Sequence, residues 1–237
     1  YFFNKERVPY VAEKMSFKEM FAALKANKPL MLVIISYFLG AGRQMAMAIQ
    51  VQASNVLLGS ENYVIALGIT TAIGSMISMA ITPMLIKKMG EKKTFIAMSV
   101  YGFVISLATY LIYALSPEGA AIRNGVPALI FTWITQALIT IFYAPNNLLP
   151  PIMTADIVDY SEWKTGIRAE GTMFGAFSFI QKFASAIAGS LSAAILAATG
   201  YVPNGVQNAS AIKGILSMMT TIPAVCCVLC IICILFY

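Results

Sequence analysis

Long apolar runs alternate with short polar punctuation along this chain, and the runs are too long for strands. Six of them approach or exceed the roughly 17–25 residues that a helix needs to cross a hydrocarbon core about 30 Å thick. They predict helices near Leu30–Leu57, Tyr63–Leu85, Thr94–Leu115, Val126–Leu149, Thr172–Ala198 and Gly214–Tyr237. Glycine, proline, asparagine and charge collect between them, at Gly59 and Ser60, Lys87 to Lys93, Ser116 to Asn124, Pro150 to Glu170, and Gly200 to Asn208. The alternation over about ten residues that marks a membrane β-barrel strand is absent. The predicted fold class is therefore an all-α membrane protein with six transmembrane helices.

Basic residues fall on alternate loops. Lys5, Arg7, Lys14, Lys18, Lys25 and Lys28 precede the first run, Lys87, Lys88, Lys92 and Lys93 follow the second, and Lys164 and Arg168 follow the fourth. The other side carries Arg123 and Lys213. The positive-inside rule places the rich side, and with it both ends of this chain, in the cytoplasm. A net charge of +6 then reports topology, and nucleic acid is not an expected partner.

Residues 1–29 read as a cytoplasmic segment and residues 30–237 as the membrane bundle. Within the first, Phe17, Met20, Phe21 and Leu24 follow the i, i+3, i+4, i+7 spacing of one helical face, and Ser16 is placed to cap it. Such a helix lies on the membrane surface or against the bundle, or is a plain connector. The chain opens on Tyr1 without a recognisable signal peptide, and a basic lead-in before six spans reads as a linker joined to half of something larger.

Composition sharpens this. Hydrophobic residues make up 59% and charged ones 11%, with a mean hydropathy of +0.78, against about 25% charged in a soluble domain. A soluble cytosolic enzyme and a disordered chain are both excluded. Histidine is absent, which removes the commonest metal ligand and proton shuttle. Cys226, Cys227, Cys230 and Cys233 contain C-x-x-C spacings, but they lie in an apolar run where the thiolate that metal binding requires is disfavoured. They read as small buried side chains, and neither a metal site nor a cofactor is expected.

Arg43 and Lys182 stand inside predicted spans. A charge there costs at least about 2.5–3.5 kcal/mol on insertion scales, and such residues face a cavity or a protein partner. Arg43 is accompanied by Gln44, Gln50, Gln52 and Asn55, with Gly40 and Gly42 before it to let the helix bend or pack closely. The fourth span holds Gln136, Tyr143, Asn146 and Asn147, and Pro145 there frees a carbonyl one turn earlier. The fifth adds Ser178, Gln181 and Lys182, followed by the small residues Ala184, Ala186, Ala188, Gly189, Ser190 and Ser192. Amides and hydroxyls both donate and accept, which suits a polyhydroxylated ligand; taken singly, each also serves to bond neighbouring helices. Candidate cavity residues are Lys182, Arg43, Gln44, Tyr143, Asn146, Asn147 and Gln181.

Charges of both signs cluster after the fourth span at Asp156, Asp159, Glu162, Lys164, Arg168 and Glu170. This composition suits a latch of salt bridges that forms and breaks, and equally a solvated connector. The stretch ADIVDYSEWKTGIRAEGTMFGAFSFIQK, Ala155 to Lys182, closely resembles the signature of the glycoside–pentoside–hexuronide:cation symporters, the melibiose permease family of the major facilitator superfamily. Gly200-Tyr-Val-Pro-Asn204 and the basic turn Lys87-Lys-Met-Gly-Glu-Lys-Lys93 are similar to that family as well.

The resemblance implies that residues 1–29 are the middle loop and residues 30–237 helices seven to twelve, the C-terminal half-bundle of a twelve-helix transporter working by alternating access. The family's helix-eleven lysine falls on Lys182, and its cytoplasmic gate on Asp156, Asp159, Glu162, Lys164, Arg168 and Glu170. Arg43 lies outside the signature. The implied partners are the missing N-terminal six-helix half, membrane lipids and a sugar or glycoside, and the implied location is the inner (plasma) membrane of a bacterium-like cell. A uronide or sulfonated sugar would give Arg43 and Lys182 an anionic partner. The coupling cation, sodium or proton, is expected at the missing half, because no acidic residue lies within these spans. The alternative is a self-contained six-helix membrane protein acting as a homo-oligomeric carrier or scaffold. An enzyme is not expected, since the spans offer no nucleophile–base pair.

Overall fold

The computed structural model describes residues 27–117, 125–166, 170–203 and 205–237, with the side chains of 142–144 and 165 left aside. The amphipathic segment Phe17–Leu24, Arg123 and Arg168 lie outside the described residues, as does the side chain of Tyr143. Everything regular among the described residues is helical: α1 Lys28–Leu39, α2 Gly42–Ala48, α3 Gln50–Leu58, α4 Tyr63–Leu115, α5 Gly125–Thr165, α6 Glu170–Ala198, α7 Ala209–Met219 and α8 Thr221–Leu235. Among the described residues, five helical stretches are long and apolar enough to cross a membrane, α1 with α2, α4, α5, α6, and α7 with α8.

The first expected span is broken twice. Asn27 starts α1 by accepting a hydrogen bond from the Leu30 amide at 3.2 Å, and the helix turns at Gly40 before resuming at Gly42. Both glycines are explained by proximity. A Cβ on Gly40 would lie 2.6 Å from Cζ of Arg43, and one on Gly42 would lie 2.5 Å from Sγ of Cys226. The bend therefore lets the chain fold over a guanidinium on one side and press against α8 on the other.

Helix α4 runs for 53 residues, a length of about 80 Å if straight. It is not straight. Gly90 sits at φ 78°, ψ 169°, a conformation open to glycine and few others, and it falls inside the basic turn Lys87–Lys93. α4 packs chiefly on α5 and α8.

The stretch Pro150 to Glu170, expected as a loop, is helical as far as Thr165. Pro145, Pro150 and Pro151 all lie inside α5. Each proline removes one amide donor, and at Pro145 a side chain of the neighbouring helix compensates. Ser78 of α4 donates to the Ile141 carbonyl at 2.7 Å, one turn before Pro145. At 41 residues, α5 is about 60 Å long, twice a hydrocarbon core, so its charged last turns stand beyond the apolar layer.

Two larger apolar clusters fill the interior among the described residues, beside a small one at Met98 and Cys227. Leu30, Val33, Tyr37, Phe95, Leu149, Met153, Phe177 and Ile234 gather α1, α4, α5, α6 and α8. Met45, Ile49, Ala188, Ile215 and Met218 gather α2, α6 and α7 around Ile49. Large apolar side chains also cover the outside, with Ile65 73% and Met76 71% exposed on α4. In lipid such a surface is solvated, and helices associate through close packing and interhelical hydrogen bonds.

Candidate functional site

Arg43 is buried, 6% exposed. Its Nη1 donates to Oδ1 of Asn146 and to Sγ of Cys230, each at 3.5 Å. Asn146 Oδ1 also accepts from the Ser99 hydroxyl at 3.1 Å, and the Cys230 thiol donates to the Ser36 carbonyl at 3.1 Å. One guanidinium thus ties α2 to α5 and α8, with α1 and α4 joined through its partners. Cys226, Cys227 and Cys230 are buried and all four cysteines are free thiols. Among the described residues no group of three histidine, cysteine or acidic side chains is arranged for a metal.

Lys182 lies near the midpoint of α6 and is exposed, with Gln181 half-buried beside it. One turn on, Ser185 bonds to Oε1 of Gln44, whose amide nitrogen donates to the Tyr37 hydroxyl at 3.3 Å. Phe38, Phe183 and Phe179 form a row of near-parallel rings at centroid distances of 6.1 and 6.0 Å. The buried positions of α6 are Met173, Phe177, Ala184, Ala188 and Ser192, and Lys182 projects from the opposite side of the helix. Added Cβ atoms at Gly171, Gly175 and Gly189 would meet nothing within 4 Å, so α6 presents an open, small-residue surface at these positions.

A cleft of about 250 Å³ opens between α2, α3, α4 and α5, closed at one side by Met219 of α7. Its polar lining is Gln50, Thr71, Ser75, Gln136, Thr140 and Asn147, and its apolar lining includes Ala46, Met47, Met79 and Leu148. The structure therefore divides the predicted residues. Asn147 enters the cleft, Asn146 and Arg43 the buried network, and Gln44, Gln181 and Lys182 the α6 side. Thr71, Ser75 and Thr140 carried no sequence signal, being ordinary hydroxyls in apolar runs.

Asp156, Asp159, Glu162 and Lys164 occupy the last turns of α5, and Glu170 opens α6, where a negative charge complements the helix dipole. Lys164 Nζ stands 5.8 Å from the Tyr160 ring centroid. Asp156 also meets a residue that the charge pattern left unremarked. Glu91, next to the Gly90 break, shares a hydrogen bond with the Asp156 carboxyl. Burial first, then the neighbouring Asp156 charge and that hydrogen bond, push the Glu91 carboxyl up to about 7 from 4.5. At the same end Lys92 Nζ donates to the Leu235 carbonyl at 3.0 Å.

Comparison with known proteins places this arrangement. The MFS/sugar transport protein family matches residues 1–237. The uncharacterized symporter YjmB of Bacillus subtilis (strain 168) is 30% identical over 214 residues, 90% of this chain and 44% of that protein. The isoprimeverose transporter of Lactiplantibacillus pentosus is 31% identical over 240 residues, 99% of this chain and 47% of its own. The glucuronide carrier protein homolog of Escherichia coli (strain K12) is 28% identical over 226 residues, 93% and 46% respectively. The chain spans about half the length of the curated relatives it matches.

Proposed function

This chain belongs to the MFS/sugar transport protein family, and on that premise we propose that it is the C-terminal half of a secondary active transporter that carries a sugar or glycoside with a cation by alternating access. The chain is an integral membrane protein of a transporter family, not an enzyme family. Counting α4 as two spans on either side of Gly90 gives six crossings, an even number that returns both ends to the basic, cytoplasmic side. The other six helices form the facing half, and the substrate sits between the two bundles as they rock about it.

The observation that carries this reading is the exposed ammonium of Lys182 at the middle of an apolar helix. Facing acyl chains it would be costly; facing a second bundle across a wet cavity it is placed to meet substrate. The relatives' names supply the substrate classes to test, a neutral disaccharide glycoside and a glucuronide. The coupling cation, sodium or proton, belongs to the other half, since the acids described here lie outside the predicted apolar runs, at Glu61, beside the Gly90 break of α4, in the last turns of α5 and at the start of α6. Asp156, Asp159, Glu162, Lys164, Arg168 and Glu170 form the cytoplasmic gate. Exposed ion pairs are worth about 0–1 kcal/mol each, so several together bias a two-state equilibrium without locking it.

The test is uptake of labelled isoprimeverose and methyl glucuronide by vesicles holding the full-length protein, under imposed sodium or proton gradients. Accumulation above equilibrium that collapses with one gradient supports the reading. Equilibration unaffected by either gradient refutes cation coupling, and no uptake of either sugar class refutes the substrate class.

A further inference from the structure

We propose that the cleft between α2, α3, α4 and α5 is a subsite for an uncharged polyhydroxylated ring, read through the side-chain amides of Gln50, Gln136 and Asn147. The inference rests on the sugar-transport reading and adds a location and a charge class to it. Three observations carry it.

The cleft's lining contains no ionisable side chain, while Lys182 and Arg43 both lie elsewhere. An anionic group gains nothing here, whereas hydroxyls find amides that donate and accept at once. Among the described residues, the side-chain amides of these three residues take no protein hydrogen bond, although Gln136 and Gln50 are half-buried. Polar groups in an apolar layer are normally paired, so these are reserved for something that enters. Thr140 and Thr71 spend their hydrogens on their own helix, on the Gln136 and Gly68 carbonyls at 2.7 and 2.8 Å. Their oxygens therefore face the cleft as acceptors only.

Size completes the assignment. About 250 Å³ falls below the roughly 300–1,000 Å³ of pockets for drug-sized ligands, which suits one sugar ring rather than a disaccharide. Met47, Met79 and Leu148 offer an apolar wall to the ring's C–H face.

The experiment measures uptake of labelled isoprimeverose, whose rings are uncharged, by the full-length protein with Gln136→Leu, Gln50→Leu and a Met47→Cys reporter. Methyl glucuronide, whose one ring is anionic, is the contrast: accumulation of the glucuronide alone overturns the charge class. The subsite predicts a tenfold or greater rise in half-saturating concentration for Gln136→Leu, with the maximal rate within about twofold. Hydroxyl-deleted analogues that compete poorly in the wild type should compete no worse in Gln136→Leu. Sugar should also slow maleimide labelling of Met47→Cys several-fold, a readout that survives if a leucine variant fails to fold. Accumulation with unchanged saturation in the variants, or labelling indifferent to sugar, overturns the subsite alone. Accumulation of neither sugar overturns the sugar-transport reading and the subsite with it.

Discussion

Ser78 donates its hydroxyl to the carbonyl of Ile141 at 2.7 Å, the carbonyl that Pro145 leaves without its usual amide four residues on. A serine on one span thus completes the broken ladder of another, and α5 continues through its proline. The pairing is a two-residue device, so Ser78→Ala and Pro145→Ala should not be additive. Ser78→Ala alone should lower stability by about 1 kcal/mol, the order measured for interhelical bonds in membranes. In the Pro145→Ala background, which restores the amide, the loss should shrink towards zero. Thermal unfolding of the purified protein through the double-mutant cycle reads this, and full additivity would contradict it.

Gly40 is predicted to be coupled to Arg43. A methyl at position 40 displaces the guanidinium from over the bend, and overpacking of this kind costs about 1–3 kcal/mol. Gly40→Ala should therefore destabilise the wild type clearly and an Arg43→Met protein much less. Equal losses in both backgrounds would place the strain in the backbone instead.

Stability should fall with rising pH through the Glu91–Asp156 acid pair. The Glu91 carboxyl titrates at about 7 in the folded protein against 4.5 without its surroundings, so the folded state holds its proton more tightly than the unfolded one. That contribution is complete below about 4.5 and is lost as pH rises through about 7. Glu91→Gln keeps the hydrogen bond and removes the titration. The melting temperature of the wild type should drop more steeply between pH 5 and 8 than that of Glu91→Gln; parallel profiles would show that the pair does not share a proton.

Much of this arrangement was legible in the sequence because membrane helices announce themselves by length and loop charge. The apolar runs overlap all five helical stretches that are long and apolar enough to cross among the described residues, although two of the predicted runs lie in the one helix α4, and Arg43 and Lys182 stood out by cost alone. Helix ends were harder to read. Pro150 and Pro151 signal a stop in water, yet α5 runs on to Thr165, because helix-breaking residues are tolerated in membrane helices packed against neighbours. Three-dimensional partnership was not legible at all. Nothing in the one-dimensional pattern separates Asn146, turned inward to Arg43, from Asn147 in the cleft, nor joins Glu91 to Asp156 across 65 positions.

Lys182 is predicted to meet water. A Lys182→Cys variant of the full-length protein should react with a membrane-impermeant thiol reagent, and Lys182→Leu should reduce gradient-driven uptake at least tenfold with normal membrane insertion. A cysteine that is silent to the aqueous reagent but reacts with a lipid-soluble one would put this side of α6 against acyl chains.

The central claim is that this bundle is one wall of a two-bundle pathway. Liposomes holding residues 1–237 alone, compared with liposomes in which the preceding six-helix half is co-produced, test it by gradient-driven accumulation of a labelled glycoside. Two copies of this chain would set the exposed Lys182 of one against that of the other, an unfavourable pairing of like charges with no acid in these spans to offset it. The account predicts no accumulation by the chain alone and recovery with its other half. Robust accumulation by the chain alone would contradict it and establish a homo-oligomeric carrier.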